Sequence, residues 1–346
     1  LLFMRNPQTL EQFFIKRFGN ELYLAFFRDY TEKVWGVPCA EISPDWGAQR
    51  IKGLSVSRAI AHSLRQMLVT DSSIEQRNTE TSLISQFLYP KFGPGQLWEN
   101  VAQMIEEKGG KVFLRSTVVG LKCRGKKITQ IRVRDESNGR INTFGAGYIF
   151  STMPVRDLVE SLDANIPTDV KEVALGLKYR DFITVGLLLK KLKIRNETSI
   201  KTINNIIPDN WIYIQERDVK LGRLQIFNNW SPYMVQDRDK VWVGLEYFCN
   251  EGDQLWCKSD TEFVKFSISE LAKIGFIDES DVVDSVLLRV PKSYPAYFNT
   301  YARFHIVRRY IDQFDNLFLI GRNGMHRYNN QDHSMLTAMA AVDNVV

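Results

Sequence analysis

The chain has 346 residues, of which 44% are hydrophobic and 25% are charged, and its formal net charge is +5. A single hydrophobic core rarely organises more than about 250–300 residues, so this length predicts at least two domains. The composition excludes a disordered or fibrous protein, and the mild, scattered positive charge favours an anionic small ligand over nucleic acid as the partner.

Other classes of protein are excluded by what the sequence lacks. No apolar run approaches the length of a membrane span and no signal peptide is visible, which predicts no transmembrane segment but leaves a monotopic membrane contact open. The four cysteines form no CxxC pair, which is typical of reduced thiols and predicts a cytoplasmic protein. His326 and His333 have no obvious third ligand, so we predict no metal site.

The first part of the chain is predicted to be helical. Asn6-Pro7 predicts a helix start, and the interruption of an apolar periodicity at Gly19-Asn20 predicts two helices. Trp35 and Trp46, interleaved with Lys, Arg and Gln, could line a pocket, but such side chains more often cover a core. Residues 59–68 predict another helix, followed by a polar loop.

A glycine-proline turn and several strands are predicted next. Gly93-Pro94-Gly95 introduces a predicted helix over Gln96–Lys108, which Gly109-Gly110 ends in the left-handed conformation that glycine favours. Alternating apolar residues then predict strands over Lys111–Leu114, Val118–Cys123, Ile128–Arg134 and Ile141–Phe150.

An antiparallel sheet is predicted between about residues 173 and 295, with a helix over Asp260–Ile274. The predicted strands are Phe182–Leu189, Trp211–Gln215, Arg223–Asn228, Val241–Phe248 and Val283–Val290. An unpaired buried carboxylate is costly, so Glu246 on the fourth strand predicts either an ion pair with Arg223 or Arg289, or contact with a sugar hydroxyl.

Amide side chains stand beside aromatic ones in the run Asn228–Tyr233. This combination suits stacking and hydrogen bonding to a glycan or nucleotide, but it is also a common way to build a turn. Asn229 is therefore a candidate ligand contact with a structural alternative.

The last strand and helix form the most informative stretch. The apolar run Leu317–Ile320 predicts a buried strand, and Gly321 and Gly324 permit a tight turn and close approach of a ligand to the main chain. The helix that follows has Asp332 or Ser334 as its predicted N-cap. A helix N-terminus beyond the carboxyl end of a strand suits an electron-rich ligand.

The sequence around this stretch resembles a known family. Residues 319–335, LIGRNGMHRYNNQDHSM, resemble the closing FAD-binding motif of the flavoprotein superfamily that contains amine oxidases, protoporphyrinogen oxidase, phytoene desaturases and UDP-galactopyranose mutase. The Gly-Arg pair, with Arg-Tyr and Asp after it, is nearest to the mutase version. The blocks YTEKVWG, AQRIKG, YPKFGPG, STMP and YPAY are also similar to this superfamily, so the resemblance spans nearly the whole chain.

The resemblance implies a cofactor and the residues that hold it. The expected cofactor is FAD, with the main chain of Val118 against its adenine. The other implied cofactor contacts lie in the closing motif: Gly321, Arg322, Asp332, His333, Ser334 and Met335.

The same resemblance implies a fold and its domains. We expect an α/β protein with a discontinuous Rossmann-like FAD-binding domain and an antiparallel-sheet (α+β) substrate domain that carries a helical insertion. The expected domains are residues 1–86 (helical part of the substrate region), 87–155 (FAD-binding), 156–299 (substrate) and 300–346 (FAD-binding). Because the chain contains no G-x-G-x-x-G, we also expect a dinucleotide-binding segment of roughly a hundred residues before Leu1.

Three functions follow from this reading. The first is an oxidoreductase that transfers a hydride from a small organic substrate to flavin N5. The second is a mutase acting on a nucleotide sugar, whose diphosphate arginines would hold. The third is a non-catalytic binding module. No catalytic residue is predicted, and the candidate substrate contacts are Arg327, Tyr328, Arg223, Asn229, Glu246 and Tyr297. The substrate, electron acceptor and oligomeric state stay open.

Overall fold

A computed structural model describes residues 6–50 and 87–346 of the chain. The α-helices of four or more residues are α1 Leu10–Phe18, α2 Arg28–Trp35, α3 Pro44–Arg50, α4 Gly95–Glu107, α5 Val155–Ser161, α6 Thr168–Gly176, α7 Phe227–Trp230, α8 Asp260–Lys273, α9 Phe304–Ile311, α10 Gly321–Gly324 and α11 Gln331–Asp343. The strands are β1 Ser116–Arg124, β2 Lys127–Asp135, β3 Ile141–Gly145, β4 Ile149–Ser151, β5 Leu162–Asp163, β6 Tyr179–Leu189, β7 Trp211–Tyr213, β8 Arg223–Ile226, β9 Val241–Cys249, β10 Val282–Pro295 and β11 Leu317–Leu319. The predicted helix over 59–68 and its loop lie outside the described residues.

The first helices follow the prediction except at their start. Helix α1 begins at Leu10 rather than at Pro7, because Thr9 is extended and its hydroxyl oxygen accepts a hydrogen bond from the Gln12 N–H at 3.2 Å. Gly19, with φ of 88°, ends α1 and so confirms the predicted break. A π-helical turn over Tyr23–Phe27 then leads into α2.

One compact unit comprises residues 1–107 and 181–291. Its five-stranded sheet has the order β10-β6-β9-β8-β7, and the pairs β6–β9, β9–β8 and β8–β7 are antiparallel as predicted. Strand β9 is almost wholly buried, and α8 covers the sheet through Phe263 and Leu271, which belong to the same apolar cluster as Tyr247. Trp35 and Trp46 are buried and pack edge to face, so they serve the core rather than a pocket.

The second compact unit comprises residues 108–180 and 292–346. It contains a four-stranded sheet of order β3-β2-β1-β5 and a two-stranded parallel sheet, β11-β4. The buried Asn316 side chain joins them: its amide nitrogen donates to the Ile128 and Gly147 carbonyls, both at 2.8 Å, and its oxygen accepts from the Ile128 N–H at 2.9 Å. These bonds fix the start of β11.

The predicted strand over Lys111–Leu114 is wrong. Arg115 has φ of 49°, outside the strand region, and β1 begins only at Ser116. The predicted strand over Ile141–Phe150 is two strands, β3 and β4, separated by residues 146–148.

Mixed helices with parallel and antiparallel sheets confirm the predicted α/β class. The predicted domain boundaries at residues 87, 156 and 300 stay a prediction. Within residues 6–50 and 87–346, no helix is long and apolar enough to cross a membrane. The same residues contain no group of three His, Cys, Asp or Glu side chains placed to hold a metal ion.

Candidate functional site

The site begins where two parallel strands end. Strands β4 and β11 pair in register from Ile149 and Leu317, and the Ile320 N–H donates to the Ser151 carbonyl at 3.0 Å. Gly321 follows with φ of +71°, in the left-handed region that favours glycine. Its N–H donates to the Thr337 hydroxyl at 2.9 Å. The chain therefore turns sharply at the carboxyl edge of the parallel pair, where ligands of α/β sheets bind.

The two glycines of the motif have different roles. A Cβ on Gly324 would lie 2.2 Å from the Ser151 carbonyl oxygen, so this glycine lets α10 pack directly on the main chain of β4. A Cβ on Gly321 would meet only Thr152 and Ser334, at 3.7 and 3.8 Å. The conformation of Gly321, rather than lack of space around it, therefore requires glycine.

The N-terminus of helix α11 carries no side-chain cap. The helix begins at Gln331 with Asn330 as N-cap, and the Asn330 side chain accepts no bond from the first turn. The predicted caps Asp332 and Ser334 are therefore wrong: both lie inside the helix, and the Ser334 hydroxyl donates to the Asn329 side chain at 2.9 Å. An uncapped helix start presents N–H donors and the positive end of the helix dipole.

Side chains around this helix start differ in exposure. Asp332, His333 and Met335 are exposed, and Ser334 is half-buried. Asp332 and His333 contact each other at 3.0 Å. The Ser334 hydroxyl lies near the turn, 3.8 Å from the position that a Cβ on Gly321 would take.

Val118, the implied adenine contact, lies at an irregularity of strand β1. The antiparallel register of β1 and β2 shifts between Val118 and Gly120, so that one residue of β1 has no partner on β2. Such a bulge frees main-chain polar groups from the ladder. The adenine contact implied for Val118 stays a prediction.

Two segments of the second unit, residues 292–297 and 321–328, are tied together and are called here the paired segments. Three side chains of the later segment bond main-chain oxygens of the earlier one: Arg322 to Ser293 at 3.2 Å, Asn323 to Lys292 at 2.8 Å and His326 to Ala296 at 3.1 Å. In the opposite direction, the Tyr297 hydroxyl accepts from the Tyr328 N–H at 2.6 Å.

Aromatic rings and cations gather along the paired segments. The rings of Tyr294 and Tyr328 are nearly parallel, with centroids 5.8 Å apart, and the Arg322 guanidinium lies 5.3 and 4.7 Å from their centroids. The Arg322 side chain also donates twice to the Asn329 carbonyl. Arg322 is therefore a positioning residue, whereas the neighbouring Arg327 is exposed.

His326 is almost fully buried, at 1% exposure. Its ring packs edge-on against Tyr179, with centroids 4.9 Å apart, and lies near Phe304. Burial lowers the pKa of His326 to about 4, and the bond to the Ala296 carbonyl opposes this shift. The ring is therefore neutral near neutral pH.

This burial predicts a pH-dependent stability. Because the folded pKa is depressed, the unfolded chain binds the proton more readily between about pH 6.5 and 4. We expect the free energy of unfolding to fall by about 3 kcal/mol as the pH drops through this window. The variant His326→Asn, which tolerates the left-handed conformation and keeps a donor, should lose this component. Urea unfolding of both proteins at about pH 7 and about pH 4.5 measures it; equal pH dependence would contradict the assignment.

In the first unit, Arg223 and Glu246 face each other on β8 and β9. They form an ion pair in which both side chains are almost fully buried, and the Gln225 amide donates to Glu246 at 2.6 Å. The Arg223 guanidinium also lies 4.9 Å from the Trp211 ring and 4.8 Å from the Phe248 ring. Burial raises the pKa of Glu246, and Arg223 and Gln225 oppose the shift.

These contacts decide between the predicted roles of Glu246. Its partner is Arg223, and Arg289 instead pairs with Asp260. Asn229 is not part of this cluster, because its amide donates to the Ile207 and Asp209 carbonyls at 2.7 and 2.9 Å. Contacts within the protein therefore account for the Glu246 carboxylate and for the Asn229 amide nitrogen.

The structure gathers some predicted residues and adds others. Of the candidate substrate contacts, Tyr297, Arg327 and Tyr328 lie on the paired segments of the second unit, and the remaining three lie in the first unit. Sequence reasoning missed Lys292 and Tyr294. Tyr294 stands in the quoted YPAY block, so its motif could have identified it. Lys292 has φ of 53°, and no local sequence pattern predicts that left-handed conformation.

Comparison with known proteins identifies the fold. No protein-family model matches the chain. A reduced UDP-galactopyranose mutase superposes with a TM-score of 0.74 at 19% identity, covering 99% of this chain and 69% of that one. A putative protoporphyrinogen oxidase from Exiguobacterium sp. 255-15 gives 0.63 at 14% identity, over 99% and 68%. A putrescine oxidase double mutant with redesigned cofactor binding gives 0.58 at 13% identity, over 98% and 68%. The chain therefore has the fold shared by a UDP-galactopyranose mutase, a putative protoporphyrinogen oxidase and a putrescine oxidase, as its motifs predict.

Proposed function

We propose that this protein is an FAD-dependent oxidoreductase that removes a hydride from a small organic substrate. The observation that supports it most is the left-handed Gly321 at the carboxyl edge of β4 and β11, followed by the uncapped N-terminus of α11. The fold, shared with a mutase and with oxidases, is compatible with this proposal.

The residues present fit an anionic dinucleotide cofactor. The uncapped first turn of α11 offers main-chain donors to a phosphate or ribityl oxygen, and the Ser334 hydroxyl lies beside Gly321. The bulge at Val118 offers main-chain groups to an adenine edge. Bound FAD would supply the acceptor of two electrons and a proton. Asp332 is the one feature that opposes an anion there, and its exposure leaves it free to turn toward water.

The protein's own contribution to the chemistry is orientation and charge. The rings of Tyr294 and Tyr328 stack on each other, and the buried Tyr297 hydroxyl holds the Tyr328 main chain in place. The Tyr179 hydroxyl is buried, and burial raises its pKa above the ordinary value, so it is unsuited to proton transfer at neutral pH. The neutral His326 is similarly unsuited as an acid. Tyr179 and His326 therefore support the packing of the paired segments rather than exchange protons with a substrate.

A second candidate is a mutase that acts on a nucleotide sugar. The observation that favours it is the exposed Arg327 on the same segment as Tyr328, because an exposed guanidinium suits a diphosphate. Turnover of UDP-galactopyranose would support the mutase, whereas oxygen consumption or reduction of an acceptor dye with amine or porphyrinogen substrates would support the oxidoreductase.

The cofactor assignment predicts the effect of one substitution. The wild-type protein, expressed with any coding sequence that precedes Leu1, should show the visible absorption spectrum of bound flavin. The variant Gly321→Val should retain none, because a β-branched residue is strongly disfavoured at φ of +71° and the turn would rearrange. The control Gly145→Val lies on exposed β3, where no atom crowds a Cβ, and should retain flavin fully.

Two outcomes would contradict the proposal. Full flavin occupancy in the Gly321→Val variant would mean that the cofactor lies elsewhere. A colourless wild-type protein that takes up no added FAD would support a non-catalytic binding module instead.

A further inference from the structure

Positive charge is concentrated in one part of the chain. Residues 108–145 contain ten Lys or Arg and two acidic residues, a net charge of +8, although the whole chain carries only +5. The rest of the chain, with 35 basic and 38 acidic residues, therefore has a net charge of −3. This segment includes the three antiparallel strands β1, β2 and β3.

These charges lie on one face of the sheet. On β1, Leu121 and Cys123 pack into the core of the second unit, so the intervening Lys122 and the following Arg124 point outward. On β2, Ile131 packs inward, and the outward positions include Arg132 and Arg134. Lys126 and Lys127 stand at the turn between the two strands. We call these six exposed residues, Lys122, Arg124, Lys126, Lys127, Arg132 and Arg134, the basic face.

The basic face is poorly neutralised within the protein. Within the described parts of the chain, one of these six residues forms an ion pair. Arg134 contacts Glu136 at 2.9 Å. Asp163 is the register partner of Lys122 on β5. Arg124 and Lys127 stand directly opposite each other across β1 and β2, an arrangement of like charges that destabilises a sheet. An external anion would offset this repulsion.

The shape of the basic face favours anionic lipid headgroups over nucleic acid. A three-stranded meander offers no helix to enter a nucleic-acid groove, and its outward positions on β3 are Ile141 and Thr143 rather than aromatic rings for stacking bases. Clusters of four to eight Lys or Arg bind anionic lipid headgroups without specific pairing. Ile141, 49% exposed beside Arg134, adds an apolar contact.

We propose that the basic face docks the protein on the surface of an anionic phospholipid membrane. The contact is peripheral, made by the six cations and Ile141. The proposal does not depend on flavin binding, because its test measures attachment to lipid.

Co-sedimentation with vesicles tests this proposal. The full chain should bind vesicles of phosphatidylcholine mixed with phosphatidylglycerol, and not phosphatidylcholine alone, and added salt should weaken binding. The triple variant Lys122→Gln, Arg124→Gln, Arg132→Gln should bind about a hundredfold more weakly, at about fivefold per charge. The matched control Lys191→Gln, Arg195→Gln, Lys201→Gln removes three exposed cations of the first unit and should bind like the wild type.

Several results would overturn the proposal. They are equal binding to both kinds of vesicle, binding to neither, or equal loss in the two triple variants. Specific loss of binding to nucleic acid or to an acidic protein in the Lys122, Arg124, Arg132 variant, without any vesicle binding, would assign the face to that other partner. Circular dichroism of each variant confirms that its fold is intact before binding is compared.

Discussion

The variant Gly324→Ala should lose about 3 kcal/mol of stability, the upper part of the range for overpacking a well-packed site. The added Cβ would lie 2.2 Å from the Ser151 carbonyl oxygen and 3.2 Å from the Thr152 Cα. Both are main-chain atoms of the β4 exit, so no side chain can rotate to relieve the overlap. Either α10 or β4 must move, and the turn at Gly321 moves with it.

Urea unfolding measures this loss, and the matched control is Gly147→Ala in the same unit. No atom lies within 4 Å of a Cβ at position 147, so the control should unfold like the wild type. The Gly324→Ala variant should also retain less flavin, since its α10 leads from Gly321 toward α11. Wild-type stability in Gly324→Ala would show that the packing of α10 on β4 is looser than described.

The second large effect is expected at the buried ion pair. The variant Arg223→Ala leaves the Glu246 carboxylate in the sheet without its cation, and breaking a buried pair in this way costs about 3–5 kcal/mol. Replacing both residues, Arg223→Met with Glu246→Leu, should recover most of the loss because no buried charge remains. Denaturant unfolding of Arg223→Met, Glu246→Leu and the double variant completes the cycle.

The pH dependence identifies the cause of this loss. Without Arg223, burial should raise the pKa of Glu246 further above its unfolded value, so the folded variant takes up a proton more readily than the unfolded chain. The stability difference between Arg223→Ala and the wild type should therefore be largest near neutral pH and shrink as the pH falls. A difference that is constant with pH would indicate lost packing on Trp211 and Phe248 instead.

Periodic patterns predicted the sheet of the first unit well. Val241–Cys249 and Tyr179–Leu189 are long, apolar and alternating, so tertiary packing reinforced the local signal. The run Leu317–Ile320 likewise gave a buried strand, because its apolar residues have no helical spacing. For such segments, burial and local preference agree.

Predictions failed where a single conformation or contact decided the outcome. The Asn6-Pro7 pair predicted a helix start, but Thr9 is extended and caps α1 instead. Val112 and Phe113 alternate like a strand, but the left-handed Arg115 separates them from β1. Gly324 was predicted to let a ligand approach the main chain. The group that packs against Gly324 is instead the Ser151 carbonyl. Tertiary neighbours of this kind leave no trace in local sequence.

The bonds between the paired segments have a consequence for how the two segments tolerate mutation. Arg322, Asn323 and His326 act through their side chains, whereas Lys292, Ser293 and Ala296 act through main-chain oxygens. A new side chain at Ser293 leaves its carbonyl in place, but a new side chain at Asn323 removes the donor. These three bonds therefore depend on which side chains the later segment carries, whereas the oxygens that they meet belong to the main chain. An apolar substitution at Arg322, Asn323 or His326 removes its donor, so the later segment carries the sequence requirement of these bonds.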